Sequence, residues 1–305
     1  MKLQPRVFLR CWEIVFPLSI ASIISGFLAQ FYAFLMAIYC ADAMIGNYQV
    51  ATQFATILTF FTTPISTVLF PAFSKINPRE ESELLKTVFT SSVKYTSFFL
   101  IPATMAMMAL SKPMISTLFG EKWTYAPFFL TLYVISNLYA LFGSLSLGNL
   151  LAGLGETRTQ MKLSLITLGV GGPLALWLIP SIGIVGLILT SVTAGAPSLL
   201  LGLYWIWKRY GAKVSLKSSF KILMASTISA ATAFLITNFA TFLDWVELVA
   251  GGLTFLTVYL IAAPLLGAVN QADINNLKKI FSGLGIVSKT LNIPMAVMEK
   301  ILRVS

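Results

Sequence analysis

Long apolar stretches decide what this chain can fold into. Each approaches the roughly 20 apolar residues that are needed to cross the hydrocarbon core of a bilayer. None shows the alternation over about ten residues that is typical of transmembrane β-strands, so every stretch is predicted to be a helix. We count eight of them, at residues 14–40, 48–73, 89–110, 126–150, 162–179, 182–206, 220–240 and 246–267. The sequence therefore predicts an all-α, polytopic membrane protein.

The polar residues and motifs that the chain lacks argue against several classes of function. Charged residues make up 10% of the sequence, whereas soluble domains carry about 25%. There is no histidine, and every acidic residue lies at a span end, in a loop or in the C-terminal tail. The chain also has no G-x-x-x-x-G-K-[ST] motif for binding the phosphates of a nucleotide. We therefore predict no metal site and no cofactor, and we expect that the protein is not an enzyme.

The basic residues predict an orientation. Lys and Arg recur at every second end of the spans, and only Lys112 and Lys122 of the 21 lie on the opposite side. Because basic loops stay in the cytoplasm, both termini are predicted to be cytoplasmic, in a multi-pass protein of the cell membrane. The net charge of +10 is then explained by topology and by anionic lipids, and nucleic acid is not needed as a partner.

The second apolar stretch, at 46–75, has two different faces. Asn47 is placed to cap its helix, and at about 100° per residue its polar side chains fall within roughly 140° of one another. This polar stripe consists of Gln49, Thr52, Gln53, Thr56, Thr59, Thr63, Ser66 and Thr67. The hydroxyls can bond their own backbone or a neighbouring helix. Alternatively, the stripe lines a polar cavity, for which Gln49, Gln53, Thr56, Thr59 and Thr63 are the candidates.

Two further intramembrane polar residues are candidates for the same cavity. Lys94 lies inside the cytoplasmic end of the third span, and Asn137 lies near the centre of the fourth. An intramembrane cation is a functional candidate by default, although the long stem of a lysine also lets the ammonium reach the interface. Asn137 can equally hydrogen-bond a neighbouring helix.

Prolines inside the spans predict bends. Each removes one hydrogen bond from the helical ladder, which makes Pro64, Pro71, Pro102 and Pro173 candidate hinges. The segment GVGGP at 169–173 predicts a broken or strongly bent helix. Broken helices often mark transport sites in membrane proteins.

Five segments together resemble a known family. In chain order they are IGNYQVA at 45–51, VLFPAFSK at 68–75, LFGEKWTYA at 118–126, LLAGLGETR at 150–158 and LIPSIGIVG at 178–186. Their order and spacing over residues 15–207 resemble the second half of the polysaccharide (oligosaccharidyl-lipid) flippases. These belong to the multidrug/oligosaccharidyl-lipid/polysaccharide exporter superfamily.

The resemblance implies a fold and a domain organisation. Family members usually have twelve to fourteen helices in two six-helix lobes, which face a central cavity. By this resemblance, residues 14–207 form one six-helix lobe and residues 208–268 form two additional transmembrane helices. Residues 1–13 are then a cytoplasmic N-terminus, and residues 269–305 are a basic tail in the cytoplasm or on the leaflet. A complete cavity would require a partner lobe, which is a separate chain, a second copy or another part of a longer gene.

The resemblance also implies a function, namely flipping of lipid-linked oligosaccharide or polysaccharide precursors across the membrane by alternating access. Cations that line the cavity would hold the pyrophosphate, and the candidates here are Lys94, Arg158 and Lys162. Two alternatives stay open. One is a non-transporting scaffold or truncated remnant in a glycan-assembly complex, and the other is a cation-coupled multidrug exporter.

Overall fold

The computed structural model describes residues 5–239, 243–281 and 296–302. This part of the chain is helical and contains no β-strand. The helices are α1 (Pro5–Tyr39), α2 (Asp42–Ala55), α3 (Thr59–Ser74), α4 (Ser82–Ala109), α5 (Ser111–Phe119), α6 (Ala126–Val134), α7 (Ser144–Gly153), α8 (Thr157–Tyr210), α9 (Leu216–Phe239), α10 (Asp244–Leu265) and α11 (Gln271–Phe281). Two 3-10 segments connect α2 to α3 (Thr56–Leu58) and α6 to α7 (Ile135–Phe142).

The predicted number of spans agrees with the structure. Within the described ranges, five helical segments are long and apolar enough to cross a membrane. Two bent pairs, α4 with α5 at 68° and α6 with α7 at 60°, raise the number to seven. Because α8 folds back on itself, it can cross twice, which makes eight. The prediction of an all-α polytopic membrane protein is confirmed.

Helix α8 is an antiparallel hairpin that turns at Ile182 and Gly183. Gly183 has φ of 59° and ψ of −133°, a conformation that costs a residue with a Cβ far more than it costs glycine. The arm before this turn and the arm after it pack against each other. A Cβ at Gly171 would lie 3.1 Å from that of Ala194, and a Cβ at Gly202 would lie 3.0 Å from the side chain of Leu163.

The expected break at 169–173 is not found, since the only non-helical backbone inside α8 is at Ile182 and Gly183. Gly171 does not bend α8. It allows α8 to pack closely against α1. A Cβ at this position would lie 2.3 Å from the hydroxyl of Tyr32 on α1. Small residues in transmembrane helices allow this kind of close approach.

Four of the five family-like segments meet in pairs at the two ends of the bundle. At the end where α2 begins, the side-chain oxygen of Asn47 accepts hydrogen bonds from the backbone N–H groups of Tyr125 (3.1 Å) and Ala126 (3.0 Å). Asn47 therefore caps α6. The prediction that it caps its own helix is wrong, because α2 already begins at Asp42. At the other end, Gly153 of α7 packs against Phe73 of α3.

Helix α4 lies at the centre of the bundle and packs against α3, α6, α7 and α9. Helix α1 packs along α8, while α9 and α10 pack against each other and reach α4 and α5 respectively. This leaves much of α2 and α3 on the outside of the chain. Of the sixteen residues of α3, only Phe73 is buried.

Candidate functional site

The polar stripe lies on the surface of this chain. All five of its cavity candidates, Gln49, Gln53, Thr56, Thr59 and Thr63, are exposed. They therefore face outward from the bundle, where either lipid or another protein surface must meet them. The side-chain amides of Gln49 and Gln53 make no hydrogen bond to any residue that the structure describes.

The threonine hydroxyls of the stripe bond the backbone of their own helix. Thr56 donates to the carbonyl of Gln53 and Thr59 donates to the carbonyl of Thr56, each at 2.5 Å. Thr67 donates to the carbonyl of Thr63 at 2.9 Å. The first of the two predicted alternatives is thus realised for these hydroxyls. Each oxygen still has a lone pair free to accept, so a polar ligand or partner can also use the stripe.

The stripe contains a local change of helix type. Residues Thr56–Leu58 form a 3-10 turn, and Pro64 follows on α3. A 3-10 turn inside a longer helix often marks a hinge or a strained sequence. The two features together make this the least regular part of the second span.

A cavity of about 300 Å³ lies beside the start of the stripe. It is a partly open cavity lined by residues of α1, α2, α6, the 3-10 segment that follows α6, and the second arm of α8. Its polar groups belong to Tyr32, Tyr48, Tyr133, Ser136 and Ser191, and no charged side chain lines it. We call it the tyrosine cavity. The sequence did not indicate it, because its three tyrosines come from three different helices.

A second polar cavity of about 280 Å³ lies between α7 and both arms of α8. Its polar lining is Tyr139, Ser144, Gln160, Ser164, Thr167 and Ser198. The hydroxyl of Tyr139 donates to the carbonyl of Val192 at 2.9 Å. Since Val192 lines the tyrosine cavity, this hydrogen bond lies between the two cavities.

The structure places Lys94 in an ion pair. Its Nζ lies 2.5 Å from Oδ2 of Asp273, and the two side chains are 21% and 11% exposed. The same carboxylate oxygen accepts a hydrogen bond from the backbone N–H of Asn270, just before α11. Sequence reasoning missed this pair because Asp273 follows Lys94 at a large distance along the chain.

The other two polar candidates lie apart from Lys94. Asn137 is half-buried in the 3-10 segment and donates to the carbonyl of Val134 at 3.3 Å. Arg158 is exposed at the start of α8. None of Lys94, Asn137 and Arg158 lines either of the two polar cavities.

The four candidate hinges differ in their surroundings. Pro64 and Pro71 are exposed on α3, and Pro173 is exposed on the first arm of α8. Pro102 is buried in α4, where it lines an apolar cavity of about 220 Å³ together with Phe98 and Tyr259. Whether any of them acts as a hinge stays a prediction.

Comparisons with known proteins agree with the predicted family resemblance. Residues 1–127 match the family model described as "Polysaccharide biosynthesis protein". The probable low-salt glycan biosynthesis flippase Agl15 of Haloferax volcanii is 20% identical over 224 residues, which cover 71% of this chain and 46% of that protein. The probable lipid II flippase MurJ of Rhizobium meliloti is 25% identical over 189 residues, which cover 58% and 35%.

The fold has a counterpart among solved structures. The lipid II flippase MurJ in its inward closed conformation matches with a TM-score of 0.71 at 19% identity, over 87% of this chain and 56% of that one. The resemblance to flippases is thereby confirmed, as is the multi-pass membrane fold. The chain spans less than half the length of the two curated relatives.

Proposed function

We propose that this chain is one lobe of a flippase that moves lipid-linked oligosaccharide or polysaccharide precursors across the cell membrane. The observation that carries the proposal is the exposed polar stripe on a lobe with the fold of MurJ. The two curated relatives named above are described as probable flippases, one of low-salt glycan biosynthesis and one of lipid II. They support a lipid-linked glycan as the substrate class.

The stripe is the surface that we assign to the central cavity. Amide and hydroxyl groups are unfavourable in contact with lipid tails, since the tails offer no hydrogen bonds. A second lobe placed opposite α2 and α3 would enclose them in a polar cavity. That lobe is a separate chain, a second copy of this chain or a further part of a longer protein.

Alternating access requires the stripe to move relative to the rest of the lobe. The 3-10 turn at Thr56–Leu58 and the nearby Pro64 supply a bend within the second span, and Pro71 and Pro102 are further candidates. We assign recognition of the pyrophosphate to Arg158 and Lys162, which are both exposed near the start of α8, and to cations of the second lobe. The charge of Lys94 is compensated by Asp273, so its main task in this proposal is to hold α11 on α4.

The proposal is tested by flipping of a fluorescent lipid-linked oligosaccharide in proteoliposomes. The chain is reconstituted alone and together with a candidate second lobe. We expect flipping when the cavity is complete, and we expect Thr56→Leu with Thr59→Leu to slow it about thirtyfold because both acceptors are lost. This is the effect of losing about 1 kcal/mol of hydrogen-bond free energy at each of the two sites.

The chain offers a matched control for these substitutions. Thr227 on α9 and Thr257 on α10 are also exposed and also donate to a backbone carbonyl of their own helix. Thr227→Leu with Thr257→Leu should leave flipping unchanged. An absence of flipping in every combination would contradict the proposal. Retained binding to glycan-assembly proteins without flipping would instead support the scaffold alternative.

A further inference from the structure

We propose that the tyrosine cavity binds one neutral sugar ring of the transported glycan. This inference rests on the proposed function and names a subsite for it within this lobe. The cavity volume of about 300 Å³ is at the small end of the range for ligand pockets, which suits one ring better than a whole oligosaccharide.

The hydrogen-bonding groups of the cavity are available to a ligand. The hydroxyls of Tyr48 and Tyr133 have no hydrogen-bond partner among the residues that the structure describes, and their rings form an edge-to-face pair at 6.1 Å. The Tyr32 hydroxyl also has no partner, but it is buried against Gly171 of α8, so the phenols that a ligand can reach are those of Tyr48 and Tyr133. A polar group without a hydrogen bond is unfavourable inside a membrane protein, so a ligand that bonds these two phenols would be stabilised.

The serines complement the tyrosines. Ser136 donates to the carbonyl of Tyr133 at 3.0 Å, and Ser191 donates to the carbonyl of Leu187 at 2.9 Å. Their donors are therefore used, but their oxygens can still accept. The cavity thus combines phenol donors with hydroxyl acceptors. Each hydroxyl of a sugar is both a donor and an acceptor, so it can match either kind of group.

The apolar part of the lining suits the carbon framework of the same ring. Ala29, Ala33 and Met36 from α1 and Leu187 and Ile188 from α8 also line the cavity. Together with the tyrosine rings, they offer apolar contact to the C–H groups of a sugar. The small alanines on α1 also leave the space that the ring would occupy.

Other parts of a lipid-linked glycan fit this cavity less well. A phosphate needs cationic or multiple N–H donors in a low-dielectric site, and no charged side chain lines the cavity. A hydrocarbon tail would leave the phenol hydroxyls without hydrogen bonds. Tyr48 directly precedes Gln49, so the cavity adjoins the stripe that we assign to the central cavity.

Saturation-transfer NMR on the purified chain in detergent micelles tests the inference. The probes are free glucose, galactose, rhamnose and N-acetylglucosamine, with glucuronate as a charged comparison. We expect saturation transfer to at least one neutral sugar. Tyr48→Phe with Tyr133→Phe keeps both rings and removes both hydroxyls, and it should reduce the signal about fivefold or more, as expected for loss of two hydrogen bonds.

Two further variants keep the experiment decisive. Tyr204→Phe removes the hydroxyl of an exposed tyrosine on the second arm of α8, outside the cavity, and should leave the signal unchanged. Ala33→Leu fills the cavity from α1 and should abolish the signal. If the variant with Tyr48→Phe and Tyr133→Phe does not fold, Ala33→Leu still tests the inference.

Three outcomes would overturn the inference. They are saturation transfer to none of the neutral sugars, transfer to glucuronate alone, and equal signals from the wild type and from folded cavity variants. The measurement needs neither a second lobe nor flipping. Failure here with intact flipping would therefore remove the sugar subsite and leave the proposed function in place.

Discussion

Two glycines of α7 show that the effect of a substitution depends on what surrounds the residue. A Cβ at Gly153 would lie 2.7 Å from the Cβ of Phe73 and 3.0 Å from the carbonyl oxygen of Phe70 on α3. A Cβ at Gly148 would meet nothing within 4 Å. Gly148 lies in the middle of α7 and Gly153 is its last residue, so helix propensity favours alanine less strongly at Gly153. The larger difference between them is the contact with α3, which only Gly153 makes.

Gly153→Ala is therefore expected to destabilise the protein even though alanine is the better helix former. Overpacking costs about 1–3 kcal/mol, which exceeds the gain in propensity of about 1 kcal/mol. Gly148→Ala is the matched control and should be neutral or stabilising by up to about 1 kcal/mol. Equilibrium unfolding in detergent micelles measures both. Equal effects of the two substitutions would show that α3 and α7 do not approach closely at Gly153.

At the scale of elements, α11 is held on α4 by polar contacts from two neighbouring residues. Lys94 pairs with Asp273, and the hydroxyl of Tyr95 accepts a hydrogen bond from the side chain of Asn276 at 3.1 Å. The predicted basic tail thus begins with a helix that packs against the bundle. In the rest of that tail, residues 296–302 are described and helical, and residues 282–295 and 303–305 lie outside the described residues.

A double-mutant cycle on Lys94→Met and Asp273→Asn measures this contact. Because both side chains are mostly buried, we expect a coupling free energy of about 1–2 kcal/mol in unfolding. The exposed pair Lys86 and Glu83, whose side chains are 34% and 86% exposed, is the control. Its coupling should be about 0.5 kcal/mol or less. If the two cycles give the same coupling, α11 does not dock through this ion pair.

At the scale of the whole molecule, the orientation of the bundle in the membrane is a prediction from the positions of its basic residues. Lys122 and Lys213 are both exposed. They follow α5 and α8 respectively, at ends that the positive-inside rule assigns to opposite sides of the membrane.

Cysteine labelling tests this orientation. In a background with Cys11→Ser and Cys40→Ser, Lys122→Cys should react with a membrane-impermeant maleimide in intact cells. Lys213→Cys should react only after permeabilisation, because its loop is predicted to be cytoplasmic. Each variant is compared with itself in permeabilised cells, which controls for reactivity. The reverse pattern would place both termini outside the cytoplasm.

The sequence alone determined the class of the molecule and the division of its second half into separate spans at 162–179 and 182–206. These properties depend on a quantity that is local in the chain, namely the length of apolar runs relative to the thickness of the bilayer. The segments that resemble the flippases also come from local sequence, which is why the predicted resemblance was confirmed.

Only the tertiary structure decided which side chains meet. The capping of α6 by Asn47, the pairing of Lys94 with Asp273 and the grouping of three tyrosines around one cavity all join distant parts of the chain. Such contacts depend on the rotation and spacing of whole helices, which in a bilayer are set by packing. Hydropathy determines that a helix crosses the membrane, but not which face it turns toward its neighbours.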